Sequence, residues 1–123
     1  MKPEEKPYAD AARGFGDLIE RVSVLHNSSR WESTQRDLTA LLGEPSFSDG
    51  KAWAVFDRLN LGDEAESAEW CLLARVTDLD RMRARAAELN WAAAASTVGG
   101  HEIRMVLTAP SGLVVVAYTP VRG

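Results

Sequence analysis

The 123-residue chain is poor in cysteine, in basic residues and in long apolar runs, and each shortage excludes a class of protein. Cys71 is the only cysteine, so no disulfide can form within the chain and nothing indicates secretion. The formal net charge of -4 argues against a nucleic-acid partner. No stretch approaches the ~20 consecutive apolar residues of a membrane span, and the polar N-terminus does not resemble a signal peptide. These shortages predict a cytoplasmic protein with neither a nucleic-acid nor a membrane partner.

Two amphipathic helices are predicted after an N-terminal arm or tail at residues 1–16, which is rich in charge, proline and glycine. The first helix begins with the capping-box pattern Ser29-Arg-Trp-Glu32 and ends at Gly43. Its apolar stripe is Trp31, Gln35, Leu38, Leu41 and Leu42. The second helix is capped by Asp78. Its stripe is Leu79, Met82, Ala86 and Leu89.

Six to eight strands are predicted around these helices. The candidates span residues 18–25, 52–61 (a strand pair), 70–76, 92–97, 102–108 and 113–118. The last two form a hairpin whose turn is Ala109-Pro110-Ser111-Gly112. A strand, a capped helix and two or three further strands therefore occur twice, which indicates an internal duplication of a βαβββ unit. A ferredoxin-like α+β sandwich is the alternative, but it needs only four strands.

The helix region Arg75–Asn90 and the hairpin region Gly99–Tyr118 resemble the closing half of the vicinal-oxygen-chelate superfamily. This superfamily includes glyoxalases, bleomycin-resistance proteins and ring-cleaving dioxygenases. The resemblance covers residues 17–120 and implies a single α+β domain. Two βαβββ modules, at about residues 17–66 and 67–120, would form a curved eight-stranded mixed sheet around a cavity.

The resemblance also implies where a metal would be held. Metal-dependent members carry His or Glu ligands on the first, fourth, fifth and eighth strands, which suit divalent ions. Here the first, fifth and eighth positions match Ser23, Cys71 and Val116, and the fourth falls near Leu61. Because valine cannot bind a metal, and serine and cysteine replace imidazole and carboxylate poorly, we expect no metal. No nucleophile elbow, P-loop or dinucleotide fingerprint is present either, so we expect no other cofactor.

Side chains alternate between the two faces of the sheet along the predicted strand 102–108, which separates the residues that face the helices from those that line the cavity. Ile103, Met105 and Leu107 should face the helices, which leaves Arg104 on the cavity side as an anchor for an anionic or carbonyl-bearing ligand. A solvated strand with an ion pair to Glu102 is the alternative. Tyr118 is either a second polar anchor or a rim residue. The candidate ligand-binding residues are Trp53, Cys71, Arg104, Val116 and Tyr118.

These residues predict metal-independent binding of a small organic molecule, aromatic or of natural-product type, in the sheet cavity. A homodimer is expected by analogy with metal-free bleomycin-resistance proteins, and no residue is assigned to catalysis. Fold does not fix function, so two alternatives stay open. One is a metal-dependent lyase, isomerase or dioxygenase of the same superfamily. The other is a structural or interaction module whose sheet face is filled by its own side chains.

Overall fold

A computed structural model describes residues 14–64, 68–99 and 101–121, so most of the predicted arm lies outside the described residues. The described chain contains nine strands, two α-helices and one 3₁₀ turn. In chain order these are the 3₁₀ turn Gly16–Leu18, β1 Ile19–Asn27, α1 Trp31–Leu42, β2 Phe47–Ser48, β3 Trp53–Phe56, β4 Leu59–Gly62, β5 Trp70–Val76, α2 Leu79–Glu88, β6 Ala92–Ala93, β7 Thr97–Val98, β8 Glu102–Thr108 and β9 Val114–Pro120. This order confirms an α+β fold that runs through the βαβββ pattern twice.

Residues 22–73 form one compact unit, and the described residues on either side of them form the other. The unit boundaries fall inside β1 and β5, so both strands take part in both units. The domain and module boundaries expected near residues 17, 66 and 120 stay a prediction. No helix in the described parts of the chain is long and apolar enough to cross a membrane.

The unit of residues 22–73 contains a mixed set of strands in the order β2-β3-β4-β1. β4 runs parallel to β1 and antiparallel to β3, which in turn pairs with β2. The helix α1 contributes Trp31 to a core that it shares with these strands, and the Trp31 indole donates a hydrogen bond to the Leu61 carbonyl at 3.2 Å. The other buried members are Ala54, Phe56 and Leu61.

The start and the apolar stripe of α1 differ from the prediction. The capping box at Ser29 is wrong, because the N-cap residue is Arg30 and no side chain caps the helix. Ser28 Oγ instead accepts a hydrogen bond from Arg30 N at 3.0 Å. The stripe is also too long, because Leu41 and Leu42 in the last turn are 76% and 53% exposed. The end at Gly43 is confirmed, with a φ of 95°.

In the other unit, β8 is the central strand. It pairs along its whole length with β9, and on its other side with both β6 and β7, all antiparallel. The strand predicted at 92–97 is therefore present but split, since Ala92 pairs with Thr108 whereas Thr97 pairs with Arg104. Six residues, 92–97, thus match five residues, 104–108, which is a β-bulge. The bulge explains why nine strands are found where eight were expected.

The helix α2 matches its prediction closely. Asp78 Oδ1 accepts a hydrogen bond from Arg81 N at 3.0 Å, as a capping residue should. Met82 and Ala86 are fully buried, and α2 contacts β6 and β9. Met105 and Leu107 are buried as the alternation predicts. The hairpin turn is also confirmed, since Gly112 N donates to Ala109 O at 2.9 Å with a φ of 97° at Gly112.

The described end of the predicted arm is attached to this unit. Arg85 Nε donates a hydrogen bond to the Gly14 carbonyl at 2.7 Å. The ring of Phe15 meets the Trp91 ring edge to face, with centroids 5.1 Å apart. These contacts fix the entry of the chain into the 3₁₀ turn.

Candidate functional site

Arg104 and Tyr118 are directly opposite each other on β8 and β9. Opposite residues of an antiparallel pair project from the same sheet face, so the two predicted polar anchors are neighbours. The next pair on that face is Val106 and Val116, of which Val116 is buried and Val106 is partly exposed. This face therefore combines an apolar floor with adjacent polar groups.

Arg21, which the sequence analysis did not single out, belongs to the same group. Its Nη2 donates a hydrogen bond to the Tyr118 hydroxyl at 3.2 Å. This hydrogen bond raises the pKa of Arg21 further above its ordinary value, so the guanidinium is always charged. The two residues are 97 positions apart in the chain, and no local pattern links them.

Glu102 forms an ion pair with Arg104 through Oε2 and Nε. The two residues lie two positions apart on β8, so they share the face that carries Tyr118. The ion pair that the sequence offered as the alternative explanation for Arg104 is therefore present. The residues named on and beside this face are therefore two arginines, one glutamate and one tyrosine.

Trp53 and Cys71 belong to the unit of residues 22–73. Trp53 is half-buried on β3, opposite Gly62 on β4. Cys71 is buried on β5. Of the five predicted ligand-binding residues, three thus share one face of β8 and β9, and the roles of Trp53 and Cys71 stay predictions.

The positions that the resemblance assigns to a metal do not offer a suitable donor set. Ser23 Oγ accepts a hydrogen bond from Asn60 Nδ2 at 2.8 Å, and Val116 has no donor atom in its side chain. Within residues 14–64, 68–99 and 101–121, no group of three or more His, Cys, Asp or Glu residues could hold a metal ion. Serine and valine are not the His and Glu ligands of the metal-dependent members, and the absence of a metal stays a prediction.

Solved structures with the same architecture are similar to this chain at low sequence identity. A glyoxalase/bleomycin resistance protein/dioxygenase superfamily member from Vibrio splendidus 12B01 is 15% identical, with a TM-score of 0.54 over 82% of this chain and 98% of that one. Methylmalonyl-CoA epimerase from Mycobacterium tuberculosis is 14% identical, with a TM-score of 0.56 over 87% and 92%. The chain has the glyoxalase/bleomycin-resistance/dioxygenase fold.

A third solved structure is also similar to this chain. It is described as an NAD-dependent benzaldehyde dehydrogenase from Legionella pneumophila, and it is 16% identical with a TM-score of 0.69 over 82% of this chain and all of that one. No family model and no curated protein matches the sequence. The structural similarity establishes the glyoxalase/bleomycin-resistance fold, whereas identities of 14–16% assign no activity to this chain.

Proposed function

We propose that the protein binds a small organic anion, aromatic or of natural-product type, without a metal, on the sheet face that carries Arg104 and Tyr118. The observation that supports this proposal is the direct pairing of these two residues across β8 and β9, beside the valine pair Val106 and Val116. A charged group of the ligand would meet the guanidinium and the phenol. Its apolar part would cover Val106, the exposed member of the valine pair.

Each part of this face has a distinct physical role in binding. The guanidinium of Arg104 can bind a carboxylate through charge-assisted hydrogen bonds, and the ion pair with Glu102 orients it. Because the Tyr118 oxygen accepts the hydrogen bond from Arg21, its own proton is directed elsewhere and can be donated to the ligand. Linked hydrogen bonds of this kind polarise one another, so the Arg21 contact strengthens Tyr118 as a donor.

A matched pair of probes tests the proposal. Benzoate and benzyl alcohol share an aromatic ring but differ in charge, and isothermal titration of the full chain compares their affinities. We expect benzoate to bind more tightly, and Arg104→Gln to weaken benzoate by roughly 10-fold, as the loss of a charge-assisted hydrogen bond predicts. Tyr118→Phe should weaken it by a smaller factor. Arg81→Gln, at an exposed position on α2, is the control and should leave the affinity unchanged.

Equal affinities for the two probes, or an unchanged affinity in Arg104→Gln, would contradict the assignment of this face. Trp53→Ala and Cys71→Ser test the two predicted ligand residues of the other unit in the same titration. Elemental analysis of untagged protein tests the metal. A stoichiometric divalent ion would reject the metal-independent function and favour a metal-dependent lyase, isomerase or dioxygenase.

The proposal includes a homodimer in the cytoplasm. Native mass spectrometry of the untagged protein checks the oligomeric state, for which we expect twice the chain mass of 13.4 kDa. A mass of one chain at micromolar concentration would contradict the homodimer. It would not contradict the binding face, which the titration tests separately.

A further inference from the structure

A second candidate site lies wholly within the unit of residues 22–73. It is a polar cleft of about 470 Å³, and none of its lining residues belongs to the face proposed above. It lies where the parallel strands β1 and β4 end and α1 begins, with His26 and Asn27 at the end of β1 and Arg30 before the first helical turn. Ligands in many α/β proteins bind outside the carboxyl ends of parallel strands in this way.

His26 is a buried titratable side chain that lines this cleft. The side chain is 9% exposed and its Nδ1 lies 3.0 Å from the Glu69 carbonyl oxygen. Because a carbonyl can only accept, Nδ1 carries a proton, and Nε2 of the neutral ring is an acceptor. The ring is held in place by stacking on Trp70, with centroids 3.8 Å apart.

Nε2 of His26 has no hydrogen-bond partner among the described residues. No fully buried side-chain nitrogen in the described residues lacks a hydrogen-bond partner, and His26 makes no hydrogen bond to them other than the one through Nδ1. Nε2 is therefore not fully buried, and His26 is one of the residues that line the cleft. A ligand with an N–H group would satisfy this nitrogen.

The start of α1 forms a positive end of the cleft. No side chain caps this helix, so the amides of its first turn lack the usual side-chain acceptor. The helix dipole places partial positive charge there, and the Arg30 guanidinium adds a full one. A carboxylate is the group that such an arrangement favours.

The cleft also carries negative charge. Asp37, Glu64 and Glu69 all line the cleft. Asn27 fixes the segments that carry the two glutamates: its backbone N–H donates to the Glu69 carbonyl at 2.7 Å, and its Nδ2 donates to the Ala68 carbonyl at 2.9 Å. Its Oδ1 accepts from Glu64 N at 3.4 Å. The backbone that carries Glu64 and Glu69 is thus held by the buried side chain of Asn27.

We propose that this cleft binds a small zwitterion, a molecule with an ammonium and a carboxylate group on one short carbon chain. The carboxylate binds at Arg30 and the first-turn amides of α1. The ammonium binds at the carboxylates and donates a hydrogen bond to His26 Nε2. A simple cation would meet the positive helix start, and a simple anion would meet three carboxylates, so only a ligand with both charges satisfies the whole cleft.

Three probes of equal chain length test this site by two-dimensional NMR of the ¹⁵N-labelled full chain. 4-Aminobutyrate carries both charges, butylamine carries only the ammonium, and butyrate carries only the carboxylate. We expect 4-aminobutyrate to shift the amide resonances of Trp31, Ser33 and Glu69 saturably, with an affinity at least ~5-fold above that of either single-charge probe. Arg30→Gln and Glu69→Gln should each weaken it by roughly 5-fold or more, since each removes one charge contact.

The controls are Arg36→Gln and Glu44→Gln, two exposed charges of the same unit that do not line the cleft. Both should leave the affinity for 4-aminobutyrate unchanged. Arg30 and Glu69 are themselves exposed, so the substituted chains keep their fold, and the same spectra verify it. The proposal is overturned if 4-aminobutyrate gives no saturable shift up to 50 mM, if a single-charge probe binds equally well, or if the control variants weaken binding as much as the cleft variants.

Discussion

The indole of Trp53 lies against the backbone of Gly62, its direct partner across β3 and β4. A Cβ atom at residue 62 would lie 3.0 Å from Cζ3 of Trp53 and 2.7 Å from Oδ1 of Asn27. Both distances are shorter than an ordinary van der Waals contact. Glycine at this position therefore lets an aromatic ring and a buried amide approach the same point of β4.

Replacing this glycine should cost stability. We expect Gly62→Ala to lower the free energy of unfolding by about 1–3 kcal/mol, because the added methyl group overpacks the space between Trp53 and Asn27. Gly99→Ala is the control, since its nearest neighbour would be an ordinary contact at 3.4 Å. Urea denaturation measures both variants. Equal losses would show that the close approach at residue 62 is not what requires glycine.

Asp49 organises the turn that leads into β3. Its Oδ1 accepts hydrogen bonds from the backbone N–H groups of Ala52, Lys51 and Trp53 at 2.8–2.9 Å. These hydrogen bonds favour the ionised carboxylate and lower the pKa of Asp49 from 3.8 to about 2. The stabilisation is therefore complete above pH 4 and is lost as the pH falls from about 4 to 2.

Asp49→Ala should remove this contribution. We expect the variant to be less stable than the natural chain at neutral pH, and the difference between them to shrink as the pH falls through that window. Urea denaturation at a series of pH values between 2 and 7 measures the difference. Glu44→Ala, at an exposed position in the same unit, provides the comparison. A difference that stays constant with pH would rule out the carboxylate as its source.

The two helices should respond differently to loss of the serine or aspartate that precedes them. Asp78→Ala removes a side-chain cap of α2 and should cost about 1 kcal/mol of stability. Ser29→Ala should cost much less, because no side chain caps α1. Thermal or urea denaturation compares the two. A comparable loss of stability in Ser29→Ala would show that Ser29 caps α1 after all, as the sequence predicts.

Truncation of a buried side chain on a helix should cost more stability than truncation of an exposed side chain of similar size. Met82→Ala should lower the free energy of unfolding by about 2–5 kcal/mol, because the Met82 side chain on α2 is fully buried and its truncation leaves a cavity. Leu41→Ala should change it by less than about 0.5 kcal/mol, because Leu41 is 76% exposed. If Leu41→Ala were the more costly of the two, residue 41 would have a covering partner in solution.

The features that the sequence predicts well are those with a local cause. The Asp78 cap, the turn that ends at Gly112 and the alternation of Met105 and Leu107 each depend on residues within a few positions. Such signals are present in the chain before it folds. They were sufficient to predict the repeated βαβββ order and the hairpin whose two strands carry Arg104 and Tyr118.

The features that the sequence missed depend on contacts between distant segments. Arg21 reaches Tyr118 across 97 positions, and the His26 ring is fixed by the Glu69 carbonyl 43 positions away. Leu41 continues the helical period of α1 but is exposed, whereas Trp31 at the other end of the helix is buried among residues of β3 and β4. Periodicity gives the face of a helix, but the extent of its neighbours decides how many turns are buried. The cleft at His26 was missed for the same reason, since its lining comes from three separate parts of the unit.

The bulge between β6 and β7 also bears on how the protein behaves at high concentration. A sheet edge with a long, regular row of free amide and carbonyl groups invites other chains to add strands and grow fibrils. Here the edge beside β8 consists of two short strands, β6 and β7, of two residues each. Their registers against β8 differ by one residue. An incoming strand would find no continuous register to extend. The same irregularity that raises the strand count thus protects this edge from self-association into aggregates.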